Sequence, residues 1–206
     1  MINLYKKNRL KLEKNHAYHR NMERDACGVG LVASTEGKKS REVVEYGIEA
    51  LKAVWHRGAV DADGKTGDGA GIHIEIPSDF FAEKIELTGH KFDNSKICVG
   101  MIFLPRDNYI AQETCRTLVE KELTKSNFSI YGWRQVPVNT KVLGEKANST
   151  RPEIAQVIFR HNDKNLIEKK LERKLYESRR KIEKEAIKNA LEGFYICSLS
   201  SKSIIY

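Results

Sequence analysis

The chain has 206 residues, with 36 Lys or Arg against 28 Asp or Glu and a formal net charge of +8, which is one domain's length. Its 40% hydrophobic content and 4 prolines exclude a disordered or collagen-like polymer and match an ordinary soluble domain. No stretch approaches the roughly 20 apolar residues that span a bilayer, and the N-terminus lacks the apolar run of a secretory signal, so a cytoplasmic address without a membrane partner is expected.

Residues 1–26 form a polar, basic leader in which Lys6, Lys7, Arg9, Lys11, Lys14, Arg20 and Arg24 face Glu13, Glu23 and Asp25. This leader supplies half of the net charge. The remaining cations are spread thinly, and the densest stretch, Arg160 to Lys188, has glutamates interleaved through it. Nucleic acid is therefore an unlikely partner on the charge-footprint test.

At Cys27 the character changes, and Cys27-Gly28-Val29-Gly30-Leu31-Val32 reads as a strand whose glycines leave one face bare for a close approach to the backbone. Ser40 suits an N-cap for a helix with Val43, Val44, Ile48, Leu51, Val54 and Trp55 at a period near 3.6, ending at His56-Arg57-Gly58 with glycine in the terminal turn. Ile72, Ile74 and Ile76 alternate with His73 and Glu75 as a strand stopped by Pro77. Further strands are expected at Ile97 to Leu104, at 128–138 and at Ile154 to Phe159, with a helix at Asn108 to Thr124. A long helix runs from Leu166 to Leu191, with Leu171, Leu175, Ile182, Ala186 and Ala190 on one face. Phe194 to Leu199 and Ser203 to Tyr206 read as two strands around Ser200-Ser201-Lys202, and the bare apolar end Ile204-Ile205-Tyr206 suggests a truncated domain.

The cysteines at 27, 98, 115 and 197 are scattered without a CxxC pair, so neither a disulfide framework nor a metal site is indicated. Thr66-Gly67-Asp68-Gly69-Ala70-Gly71 lacks the Gly-Lys-Ser/Thr ending of a P-loop and leads into a strand, which argues against a nucleotide there.

Taken in order, Asp25-Ala26-Cys27-Gly28-Val29-Gly30, His56-Arg57-Gly58-Ala59 and Thr66 to Gly71 resemble the class II glutamine amidotransferase domain that opens the large chain of glutamate synthase. Tyr131-Gly132-Trp133-Arg134-Gln135-Val136-Pro137-Val138, Arg151 to Gln156, Leu171 to Tyr176 and Phe194 to Ser201 are similar to the same family's pattern, from about Arg24 to the last residue.

The resemblance implies an α+β fold, the N-terminal-nucleophile hydrolase αββα four-layer sandwich, here apparently truncated. It also implies that residues 1–26 are a propeptide and that 27–206 are the N-terminal part of the amidotransferase domain. Cys27 would be the nucleophile on L-glutamine, yielding glutamate and ammonia for 2-oxoglutarate. Arg57 and Gly28 would border the nucleophile, and Asp68 and its glycines would shape the strand bordering the site, with Asp68 in a structural hydrogen-bonding role. Cys98, Cys115 and Cys197 look structural.

The family's oxyanion Asn-Gly pair and its substrate-clamping Arg and Asp lie downstream of the matched stretch. That opens a second reading, a non-catalytic remnant or a component awaiting a complementary chain. FMN and an iron–sulfur cluster are expected only in the complete family enzyme, with the remaining glutamate synthase regions or its small subunit as partners.

Overall fold

A computed structural model describes residues 2–14 and 28–206. In the leader, Ile2–Lys14 forms helix α1. Helix α2 (Arg41–Ala53) starts where expected, with Ser40 Oγ accepting from the Val43 N–H at 3.3 Å. It ends sooner than expected, giving way to a 3-10 turn at Trp55–Arg57, and Gly58 there has an extended backbone instead of the left-handed one.

Strand β1 (His73–Glu75) is followed by α3 (Ser78–Leu87), then β2 (Ile97–Leu104), α4 (Tyr109–Lys125) and β3 (Phe128–Gln135). After a short α5 (Glu145–Thr150) come β4 (Glu153–His161), α6 (Glu168–Lys188), β5 (Tyr195–Ser200) and β6 (Ser203–Ile205).

Four strands make an antiparallel sheet in the order β3-β4-β2-β5, and β1 pairs with β6 in a second antiparallel sheet. The central pair β2–β4 runs in unbroken register from Ile97↔Arg160 to Leu104↔Glu153. At the β3–β4 edge the register slips between Ile130 and Gly132, and Gly132 takes φ +154°, a value that disfavours any side chain.

Because strand residues alternate, each face of the large sheet builds its own core. Cys98, Ile102 and Leu104 of β2 join Val157 and Phe159 of β4 against Val119 and Leu123 of α4 and Leu171, Leu175 and Ile182 of α6. On the other face Val99, Met101 and Ile158 meet Phe81 and Ile85 of α3 and Ile76 and Ile204 of the small sheet. Each of the larger of these side chains contributes about 1.5–3 kcal/mol by leaving water. The Cβ that Gly47 lacks would lie 3.2 Å from Ile72 Cδ1, which sets α2 against the approach to β1. The architecture is α+β, with two antiparallel sheets; α4 and α6 cover one face of the large sheet, and α3 and the small sheet pack against the other.

Four local expectations need correction. Residues 28–34 form no strand; Val29 and Leu31 are 91% and 92% exposed, with no partner strand to satisfy the backbone. Among the described residues a Cβ added at Gly30 would meet nothing within 4 Å, so no described group packs closely on that side of Gly30. Ala190 lies beyond α6 at φ +49°, exposed, and has no place on its buried face. The strand at 203–205 is not bare, since it pairs with β1 and buries Ile204 completely.

Candidate active site

Two of the three segments singled out by sequence come together. The Ala59 N–H donates to Asp68 Oδ2 at 2.8 Å, and the Asp68 N–H returns a bond to the Ala59 carbonyl at 3.3 Å. Val60 bridges Gly67, and the Asp61 N–H donates to the Thr66 carbonyl at 2.7 Å, closing a hairpin-like loop. Gly67 fits because its bare Cα faces the Ala59 carbonyl, which a Cβ would meet at 3.2 Å.

Asp63 organises the tip of this loop. Its carboxylate accepts from the Lys65 N–H at 2.9 Å, the Thr66 N–H at 2.7 Å and the Thr66 hydroxyl at 2.6 Å. Those bonds, the Thr66 hydroxyl foremost, stabilise the carboxylate and lower its pKa to about 2. The loop is then clamped to α5: Lys146 pairs with Asp61 at 2.7 Å, and the Ala147 N–H donates to Thr66 Oγ1 at 3.3 Å.

From Asp68 the chain runs through Gly69 and Gly71 into β1. At Gly71 a Cβ would sit 2.9 Å from the Tyr206 carbonyl. Ile72 and Tyr206 exchange backbone bonds of 2.8 and 2.9 Å, extending the β1–β6 pairing outward. A polar chain couples that end to the large sheet. The Tyr206 hydroxyl accepts from Gln156 Nε2 at 3.1 Å, and Gln156 Oε1 accepts from Arg134 Nη1 at 2.9 Å.

The other site residues stand apart from this constellation. Cys27 lies outside the described residues. Gly28 is exposed, in the irregular segment before α2. Arg57 closes the 3-10 turn two residues before Ala59, with its side chain outside the described residues. No hydrogen bond among the described residues joins Gly28 to Asp68.

Sequence reasoning missed a groove of about 910 Å³ beside the start of β1 and the β5–β6 turn. It is lined by Lys39, His73, Lys96, Lys202 and Ser203 among others, and Asp68 is not among its lining residues. Its cations are already compensated: Lys39 pairs with Glu75 at 2.7 Å, and Lys96 and Lys202 share Glu168 at 2.6 and 2.5 Å. Lysines at 96 and 202 are far apart in sequence, so only the fold reveals that they meet on one carboxylate.

Among the described residues no group of three or more His, Cys, Asp or Glu is placed to hold a metal ion. Cys98 and Cys115 are buried, free thiols, and burial pushes the pKa of both, and of half-buried Cys197, upward. Among the described residues no helix is long and apolar enough to cross a membrane.

Comparison with known proteins gives the same direction as the motifs. The family model for class-II glutamine amidotransferases matches residues 27–206. The chain is 53% identical over 202 residues to the glutamate synthase [NADPH] large chain of Azospirillum brasilense, covering 98% of this chain and 13% of that one. It is 39% identical over 188 residues to the ferredoxin-dependent glutamate synthase of Pyropia yezoensis, and 37% identical over 186 residues to the chloroplastic enzyme of Spinacia oleracea. Those two matches cover 89% of this chain and 12% and 11% of the relatives, so the chain spans about an eighth of the length of the relatives it matches. The chain belongs to the class-II glutamine amidotransferases.

Proposed function

We propose that the chain is the nucleophile-bearing part of a glutaminase within a glutamate synthase, with Cys27 as the reacting group and residues 1–26 removed to expose it. The observation that carries this reading is that the family match begins on Cys27 itself.

The chemistry explains why such a cut matters. A free α-amine titrates at about 7.7–8.0 and a thiol at about 8.5, so near neutral pH the amine can take the thiol proton. An amide nitrogen has no such capacity. The Cys27 sulfur attacks the side-chain carboxamide carbon of L-glutamine. The C–N bond breaks as the ammonium returns its proton to the leaving ammonia. Water then hydrolyses the γ-glutamyl thioester, releasing glutamate and restoring the thiol. Positioned acid–base help of this kind contributes about 10²- to 10⁴-fold.

In this reading Gly28 and Arg57 border the nucleophile, and Asp68 fixes the 59–68 loop next to the turn that bears Arg57. The ammonia is used for amination of 2-oxoglutarate elsewhere in the larger protein, and FMN and the iron–sulfur cluster are assigned to those other regions. A cytoplasmic location fits this role.

A second reading, a component that works only when completed by complementary chain, is favoured by one observation: Val29 and Leu31, two and four residues past Cys27, are almost fully exposed. Ammonia release from L-glutamine by the purified chain tests the first reading. Release that disappears in Cys27→Ser supports it, and release indifferent to that change contradicts it.

A further inference from the structure

Helix α6 buries Leu171, Leu175, Ser178, Ile182 and Ala186 against the sheet. Directly opposite, at spacings of three and four residues, stand Lys169, Arg173, Tyr176, Arg180, Lys184 and Ile187, all exposed, with Ile187 80% open to solvent. No carboxylate falls on this ridge, which runs for about 27 Å at the helical rise. The whole helix carries nine Lys or Arg against five Glu.

The flanking acids tie down the two arginines: Arg173 pairs with Glu177 at 2.9 Å, and Arg180 pairs with Glu183. Lys169 and Lys184 have no ion-pair partner among the described residues. A groove of about 630 Å³ between α4 and the segment just after α6 is lined by Tyr109, Ile110, Glu113, Leu118, Lys121 and Leu191, with Asn189, two residues past Ile187, at its edge. Ile110, in the first turn of α4, is 82% exposed.

We propose that this ridge and groove dock one kind of partner, a protein surface with carboxylates along one line and apolar anchors at one end. The charge complementary to such a surface comes from Lys169 and Lys184, the two ridge cations that Glu177 and Glu183 leave uncompensated. The apolar members decide between macromolecules. A nucleic acid would neutralise its phosphates on unpaired cations, and two of the four here are already compensated. It would also leave Ile110 and Ile187 in water. A protein partner buries them, and exposed apolar side chains rimmed by charge suit a protein contact.

The test uses a fluorescein-labelled helical peptide of about 18 residues, long enough to follow the ridge, with Glu along one face and Leu and Phe at one end. Fluorescence anisotropy against the full chain should show saturable binding. The affinity should fall about tenfold or more for Lys169→Glu/Lys184→Glu, and separately for Ile110→Ser/Ile187→Ser. A peptide with every Glu replaced by Gln should lose a similar factor. These positions are exposed, so the variants should keep the parent's circular dichroism. Absence of saturable binding, equal binding by either double variant, or tighter binding of a DNA duplex of similar length than of the acidic peptide overturns the proposal.

Discussion

Glu172, half-buried on α6, accepts from both the backbone N–H and the hydroxyl of Ser201, each at 2.7 Å. Its second oxygen accepts from the Ser200 hydroxyl at 3.0 Å. Residues 200–202 are where the chain leaves the large sheet at β5 and enters the small one at β6. One carboxylate therefore fixes the crossing from sheet to sheet, and with it the placement of Ile204 between the two layers.

Replacing Glu172 with Ala leaves the Ser201 N–H and hydroxyl, 5% exposed, without their acceptor. The expected cost is about 1–3 kcal/mol, read from the urea midpoint. Amide exchange at Ile204 and Ile205 should quicken more than exchange in β2. Unchanged stability and exchange would show that the turn holds itself.

Gly144 permits the contact between α5 and the 59–68 loop. A Cβ there would overlap Thr66 Oγ1 and Asp63 Oδ2 and approach Thr66 N to 2.6 Å. Its backbone has φ −69°, so Gly144→Ala isolates crowding from torsional strain. We expect a loss of about 1–3 kcal/mol. Gly30→Ala, where a Cβ meets nothing within 4 Å, serves as the control and should stay within about 0.5 kcal/mol. Equal stability of the two variants would contradict the packing described for the loop.

Acid should act through depressed carboxylates. Asp63 is held at about 2 by bonds from Thr66 and Lys65, and Glu168 at about 2 by Lys202 and then Lys96. Asp93 is lowered too, chiefly by Lys164. Unfolded carboxylates titrate near 4. As pH falls the unfolded chain therefore binds protons first, so the stabilisation is complete above about pH 5 and is lost between about pH 5 and 2. Urea midpoints at pH 5, 4 and 3 should drop steadily. The double variant Asp63→Asn/Glu168→Gln should be less stable at pH 5 and show a shallower drop; an identical slope would refute the assignment.

Thiol reactivity should follow burial. Burial drives the Cys98 thiol far up and pushes Cys115 up to about 11, leaving little thiolate at neutral pH. Iodoacetamide on the folded protein should spare both until denaturant is added. Rapid native labelling of Cys98 would show that the α4–α6 layer opens.

The long periodic elements were legible because their burial pattern repeats over many residues. Ile97–Leu104 is the strand that sequence indicated, and the expected helix from Asn108 is off by one residue, because Asn108 serves as the cap, its side chain accepting from Ala111 N–H. Helix α3 went unread because Pro77 precedes it without a side-chain cap, although Phe81 and Ile85 carry the i,i+4 spacing. The six-residue α5 is too short to show a period. That Ser200 to Ser203 switches sheets could not be read locally, since Glu172 determines it from 29 residues away along the chain. At the candidate site, the family resemblance implied a hydrogen-bonding role for Asp68, and the Ala59 N–H that donates to its carboxylate lies nine residues back, a pairing no local pattern announces.

The central claim is that Cys27 is the nucleophile of a glutamine-hydrolysing site, exposed by loss of the leader. The most direct test is the intact mass of the purified chain after incubation with a glutamine analogue that alkylates the reacting thiol. The account predicts a species lacking residues 1–26 that carries one adduct, with the adduct abolished by Cys27→Ser. A full-length mass with no adduct, or an adduct that survives Cys27→Ser, would contradict it.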